Sequence, residues 1–125
     1  MAWDPGFGDW VQDHLSGLRP FEIKRMFGGA GALKSGAMFA ILSSDTIWLK
    51  ADDALAAEMA DEGSERFEYG PPGRRRTLPY WSLPSTAMDD PEQALSWARR
   101  AVEVALRPKS TRKRRAAAGD AELPR

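Results

Sequence analysis

Residues 21–51 read FEIKRMFGGAGALKSGAMFAILSSDTIWLKA, and their hydropathic period of about two decides the fold. Phe21 and Ile23, then Met38, Ala40 and Leu42 against Phe39 and Ile41, then Ile47 and Leu49 against Trp48, alternate as half-buried strands do. Gly28-Gly29 interrupts the first run, Lys34-Ser35-Gly36 separates it from the second, and Ser44-Asp45 links the second to the third. Connections this short join antiparallel neighbours, so the stretch predicts a three-stranded meander.

On the N-terminal side the period changes. Phe7, Trp10, Val11, Leu15 and Leu18 recur at helical spacing, Asp4-Pro5 supplies a cap and a first-turn proline, and Gly17 with Pro20 supplies stop signals. On the C-terminal side Asp52 and Asp53 introduce a short helix over residues 54–62, with Leu55 and Met59 four apart and Gly63 as its stop. A strand at residues 67–69, a Gly70-Pro71-Pro72-Gly73 turn and a strand from about residue 75 to 83 follow. Asp90-Pro91 opens the longest helix, whose apolar face (Ala94, Leu95, Trp97, Ala98, Ala101, Val102) opposes Glu92, Arg99, Arg100 and Glu103. The order helix, three strands, helix, two strands, helix predicts an α+β two-layer sandwich. Its five-stranded antiparallel sheet has one face packed by helices and the other left open to solvent or a partner.

At 125 residues, 42% of them hydrophobic, the chain has material for one core and no need of an external staple. Cysteine is absent, which excludes disulfides, thiolate metal sites and cysteine nucleophiles and suits a reducing compartment. No apolar run approaches the roughly 20 residues that span a bilayer, and no secretory leader pattern opens the chain, so a cytoplasmic, membrane-free protein is expected. The net charge of zero conceals a division. Residues 1–107 hold 12 basic and 16 acidic side chains, net −4, and residues 108–125 hold 6 basic and 2 acidic, net +4. The reading is a folded domain over 1–107 and a basic tail over 108–125 too poor in apolar residues to order itself.

Catalytic candidates are weak. The only histidine, His14, lies on the first helix as a surface residue, with no metal-ligand spacing and no nucleophile brought to it by the pattern. An enzyme using His14 or a carboxylate as base is the least supported reading. Asp52-Asp53, Asp61-Glu62 and Asp89-Asp90 sit at helix ends, where carboxylates serve as caps. The Gly28-Gly29-Ala30-Gly31 run has strands on both sides and no helix opening after it, so it permits a bend or close backbone approach and does not cradle a phosphate. No catalytic residue, cofactor site or metal site is expected.

Binding candidates are better. Arg74, Arg75 and Arg76 follow a tight turn and run into Tyr80-Trp81, a combination suited to phosphates and stacked bases, or to keeping a sheet edge soluble. Lys109, Arg112, Lys113, Arg114 and Arg115 cluster in the tail as a candidate nucleic-acid arm. Trp48, Tyr80 and Trp81 are candidates for a partner surface.

Four segments in order, Arg25-Met26-Phe27-Gly28-Gly29-Ala30-Gly31, Gly36-Ala37-Met38-Phe39-Ala40, Thr46-Ile47-Trp48-Leu49-Lys50-Ala51-Asp52 and Tyr80-Trp81-Ser82-Leu83-Pro84, resemble the TfoX N-terminal domain over about residues 5–107. The resemblance implies the same element order. It also implies a regulator of natural competence acting with the cyclic-AMP receptor protein at promoters, although such regulators carry a second, C-terminal domain where this sequence has its basic tail. It brings no catalytic residues. The expectation is a non-enzymatic regulatory or adaptor domain that binds a protein partner such as a transcription factor. Direct, low-specificity DNA binding through Arg74–Arg76 and the tail is the alternative.

Overall fold

The computed structural model describes residues 4–26 and 29–107. Six strands form one antiparallel sheet: β1 (Glu22–Met26), β2 (Gly29–Lys34), β3 (Ala37–Ser43), β4 (Thr46–Lys50), β5 (Arg66–Tyr69) and β6 (Arg76–Ser82), in the spatial order β1-β2-β3-β4-β6-β5. Four helices accompany it: α1 (Pro5–His14), α2 (Asp53–Asp61), α3 (Ser85–Met88) and α4 (Pro91–Ala105). The α+β class and the antiparallel open sheet are as expected, but the sheet has six strands rather than five. The extra strand comes from the first apolar run. Met26 pairs with Gly29, so the chain reverses between them and the run makes two strands in place of one.

The next two reversals are two-residue turns. Lys34 pairs with Ala37 around Ser35 (φ 53°) and Gly36 (φ 82°), and Ser43 pairs with Thr46 around Ser44 (φ 53°) and Asp45 (φ 56°). Two successive positive φ values give the turn whose twist matches that of the strands it joins.

The caps follow the carboxylates. Asp4 Oδ1 accepts from the Gly6 amide at 2.9 Å, Asp52 Oδ1 from Leu55 at 2.8 Å, and Asp90 Oδ1 from Glu92 at 3.0 Å and Gln93 at 3.4 Å. α1 ends earlier than its apolar period suggests, and a 3-10 turn at Ser16–Leu18 carries Leu18 into the core. α3, absent from the sequence reading, is a single turn after Pro84 that seats buried Ala87.

The helices cover one face of the sheet. Ala30, Ala32, Ala40, Leu42, Ile47 and Leu49 join Val11, Leu15, Leu55 and Met59 in one core. α4 presents fully buried Ala94, Ala98 and Ala101, and side chains this small let it lie close over β3 and β4. Among the described residues no helix is long and apolar enough to cross a membrane.

One irregularity redirects the pattern. Ala32 pairs with Ala40 but Leu33 pairs with Met38, which leaves Phe39 as the extra residue of a bulge. Phe39 and Ala40 are therefore both fully buried, and the Phe39 ring meets Phe21 edge-on at 5.7 Å. Strict alternation had grouped Met38 with Ala40 and Leu42. The bulge instead turns Met38 to the opposite face, beside Ile41.

Candidate binding face

The sheet face that none of the described helices covers bears an apolar hollow. Met26 of β1, Met38 and Ile41 of β3, Phe67 and Tyr69 of β5 and Leu78 of β6 surround a hollow of about 440 Å³. On a flat sheet β1 and β5 would stand five strand spacings apart, about 24 Å. A single hollow lined from both edges requires the sheet to curl, which carries the β5–β6 hairpin over toward β1–β3. The Trp48 ring marks the fold line: its Nε1 donates to the Ser43 carbonyl at 3.3 Å, and Phe67 meets it nearly edge-on at 5.1 Å.

Gly31 lies in the floor. A Cβ there would stand 2.6 Å from Met38 Sδ and 3.0 Å from Met26 Cε, so the missing side chain is the space the two thioethers occupy. Methionine packs adaptably, which suits a surface that receives something.

The arginine run lies at one end of this face. Arg74, Arg75 and Arg76 are exposed and share a depression with Tyr69, which is itself 43% exposed. Arg75 stands 3.5 Å from Glu68 and donates to the Gly70 carbonyl at 3.4 Å. Tyr69 pairs with Arg76, and Leu78 follows two residues on. By the pleat, Arg76 therefore shares the face of Tyr69 and Leu78.

The other aromatic candidates separate. Trp48 belongs to the open face. Tyr80 is buried, its hydroxyl 3.4 Å from the Met38 carbonyl, so it is not a contact surface. Trp81 pairs with core residue Leu49 and lines a shallow depression with Ala56 and Ala60 of α2, on the helix side. Lys109, Arg112, Lys113, Arg114 and Arg115 lie outside the described residues.

His14 is not the surface residue its helix position suggested. It is partly buried, donates from Nε2 to the Ala87 carbonyl at 2.8 Å, and stacks on Trp10 at 4.4 Å. The ring ties α1 to α3, an unforeseen role because α3 left no periodic signal. Asp52 is held below the usual carboxylate range, first by the Leu55 amide and then by Arg107, whose guanidinium pairs with it. Glu58 is likewise lowered by a bidentate pair with Arg100, at 2.8 and 2.6 Å. Both pairs fasten α2 to the C-terminal part of the domain, and neither lies on the open face. Among the described residues no group of three or more His, Asp and Glu side chains is placed to hold a metal ion.

The model of the TfoX N-terminal domain matches residues 13–105. The chain belongs to the TfoX N-terminal domain family. The match spans all six strands and α2 to α4, so the curled sheet, its open face and the arginine hairpin all lie within the family's domain. No curated protein matches the chain.

Proposed function

We propose that this TfoX N-terminal domain is a non-enzymatic regulatory or adaptor module that acts by holding a protein partner on the open face of its sheet. The observation that carries this reading is the concentration of Trp48, Phe67, Tyr69 and two methionines on the sheet face that none of the described helices covers. The family supports a role in regulation related to competence, and a transcription factor is the kind of partner that role involves. The bond from partly buried His14 to the Ala87 carbonyl supports a structural use of that ring. Replacing exposed Tyr69 by glutamate should abolish co-purification of a partner that Arg99→Glu, on the outer face of α4, retains. Equal retention by both variants would refute the assignment of the face.

The exposure of Arg74, Arg75 and Arg76 together beside Tyr69 favours a second reading, direct phosphate contact with nucleic acid. Labelled duplex titrated with the full chain and with a chain ending at Arg107, across a salt series, separates the two. Phosphate contacts give an affinity that falls steeply with salt, whereas an apolar-centred protein interface does not. Loss of all binding on truncation would leave the folded domain directed at protein.

A further inference from the structure

The hollow has walls on two sides, and a protein partner does not need that. A flat apolar patch suffices to dock another domain, whereas a small molecule binds where most of its surface is enclosed. Here the curl sets Met26, Met38 and Ile41 opposite Phe67, Tyr69 and Leu78. The volume of about 440 Å³ falls within the range of small-ligand sites. At about 30 Å³ per water-sized group it admits roughly 15 such groups.

The charge beside it is equally specific, because Arg76 lines the neighbouring depression that shares Tyr69 with the hollow. No acidic side chain lines the hollow among the described residues. Arg76, on the same face as Tyr69 and Leu78, has no ion pair with any described residue, whereas Arg75 meets Glu68. This cationic end belongs to a domain whose residues 1–107 carry net −4, so the positive site is local. A guanidinium beside an apolar cleft recognises a carboxylate joined to an apolar body.

We propose that the cleft is a binding site for a small organic anion of the medium-chain carboxylate type, with its hydrocarbon against Met26 and Met38 and its carboxylate at Arg76. Thioethers lining the floor accommodate a flexible chain better than a rigid ring, because they repack around whatever shape it takes.

Isothermal titration of the full chain with decanoate and, separately, with decan-1-ol tests this, both below their aggregation limits. Decanoate is expected to bind one to one, about tenfold or more tighter than the alcohol, a ratio set by the Arg76 contact. Arg76→Ala should reduce decanoate to the affinity of the alcohol and leave the alcohol unchanged, and Arg99→Ala should change neither. Ile41→Trp, filling the cleft, should abolish binding of both; its melting transition shows whether it folds, and the exposed Arg76→Ala variant decides the matter if it does not. Equal affinity for the two ligands, decanoate binding indifferent to Arg76→Ala, or no decanoate binding at millimolar concentration would overturn the proposal. Absence of decanoate binding by a chain whose Tyr69→Glu variant loses its protein partner would overturn this proposal alone and leave the docking reading standing.

Discussion

Alanine at Gly29 and alanine at Gly31 add the same methyl group to the same strand, and the structure predicts opposite consequences. At Gly29 the Cβ would lie 2.5 Å from the Leu42 carbonyl oxygen, a backbone atom of the adjacent strand. Ordinary carbon–oxygen contacts lie near 3.3–3.6 Å, so β2 and β3 must part by about 0.8 Å or more. Overpacking of this kind costs about 1–3 kcal/mol, and the reduced freedom of the unfolded chain returns about 0.5–1 kcal/mol. Taking the middle of each range, about 2 minus about 0.75, the net loss is about 1 kcal/mol, which for a domain of this size lowers Tm by roughly 4–8 °C. At Gly31 the Cβ meets only Met38 Sδ at 2.6 Å and the end of Met26. Those flexible side chains swing away into the hollow, so Gly31→Ala should stay within about 0.5 kcal/mol of wild type while narrowing the cleft. Thermal and urea unfolding followed by circular dichroism measure both. Equal destabilisation by the two substitutions, or a neutral Gly29→Ala, would refute the close approach of β2 to β3 and the plasticity of the methionine floor.

Other consequences are more local. Asp52→Ala removes the α2 cap and the Arg107 pair, and should cost about 1 kcal/mol at pH 7. The folded-state pKa of Asp52 is depressed, so this contribution is complete above the unfolded value near 3.8 and is lost as pH falls through the lower folded value. Urea midpoints of variant and wild type should therefore converge below pH 4, and a gap unchanged at pH 2 would contradict the role of the carboxylate. His14→Ala should lower stability by about 1 kcal/mol through the lost bond to Ala87. Faster amide exchange in α3 than in α2 is the signature to seek, and its absence would remove the tie between α1 and α3.

The meander was legible because its apolar runs are short and are separated by two-residue turns, and the caps because aspartates precede each main helix. The sixth strand was not, since Gly28-Gly29 reads equally as a break within a strand or as a reversal, and only the pairing of Met26 with Gly29 decides. Half of the candidate face was hidden for a different reason. The bulge at Phe39 reverses the facing of Met38, and no periodicity announces a single extra residue. Phe67 and Tyr69 lie in a four-residue strand too short for a pattern, and the curl that sets them opposite Met26 is a property of the whole sheet. The arginine run was visible as chemistry, but its place next to an apolar cleft, across Tyr69, was not. Trp81 and Tyr80, a few residues further along the same strand, take separate places: Trp81 faces the helix side, and Tyr80 is buried on the sheet's open side.

The claim that the uncovered sheet face is the working surface of this domain is tested most directly by photo-crosslinking in cells. A photoreactive residue is placed at position 69 on the open face or at position 99 on the outer face of α4. A discrete protein adduct is expected from position 69 and none from position 99. Adducts from position 99 alone, or the same adducts from both, would contradict it.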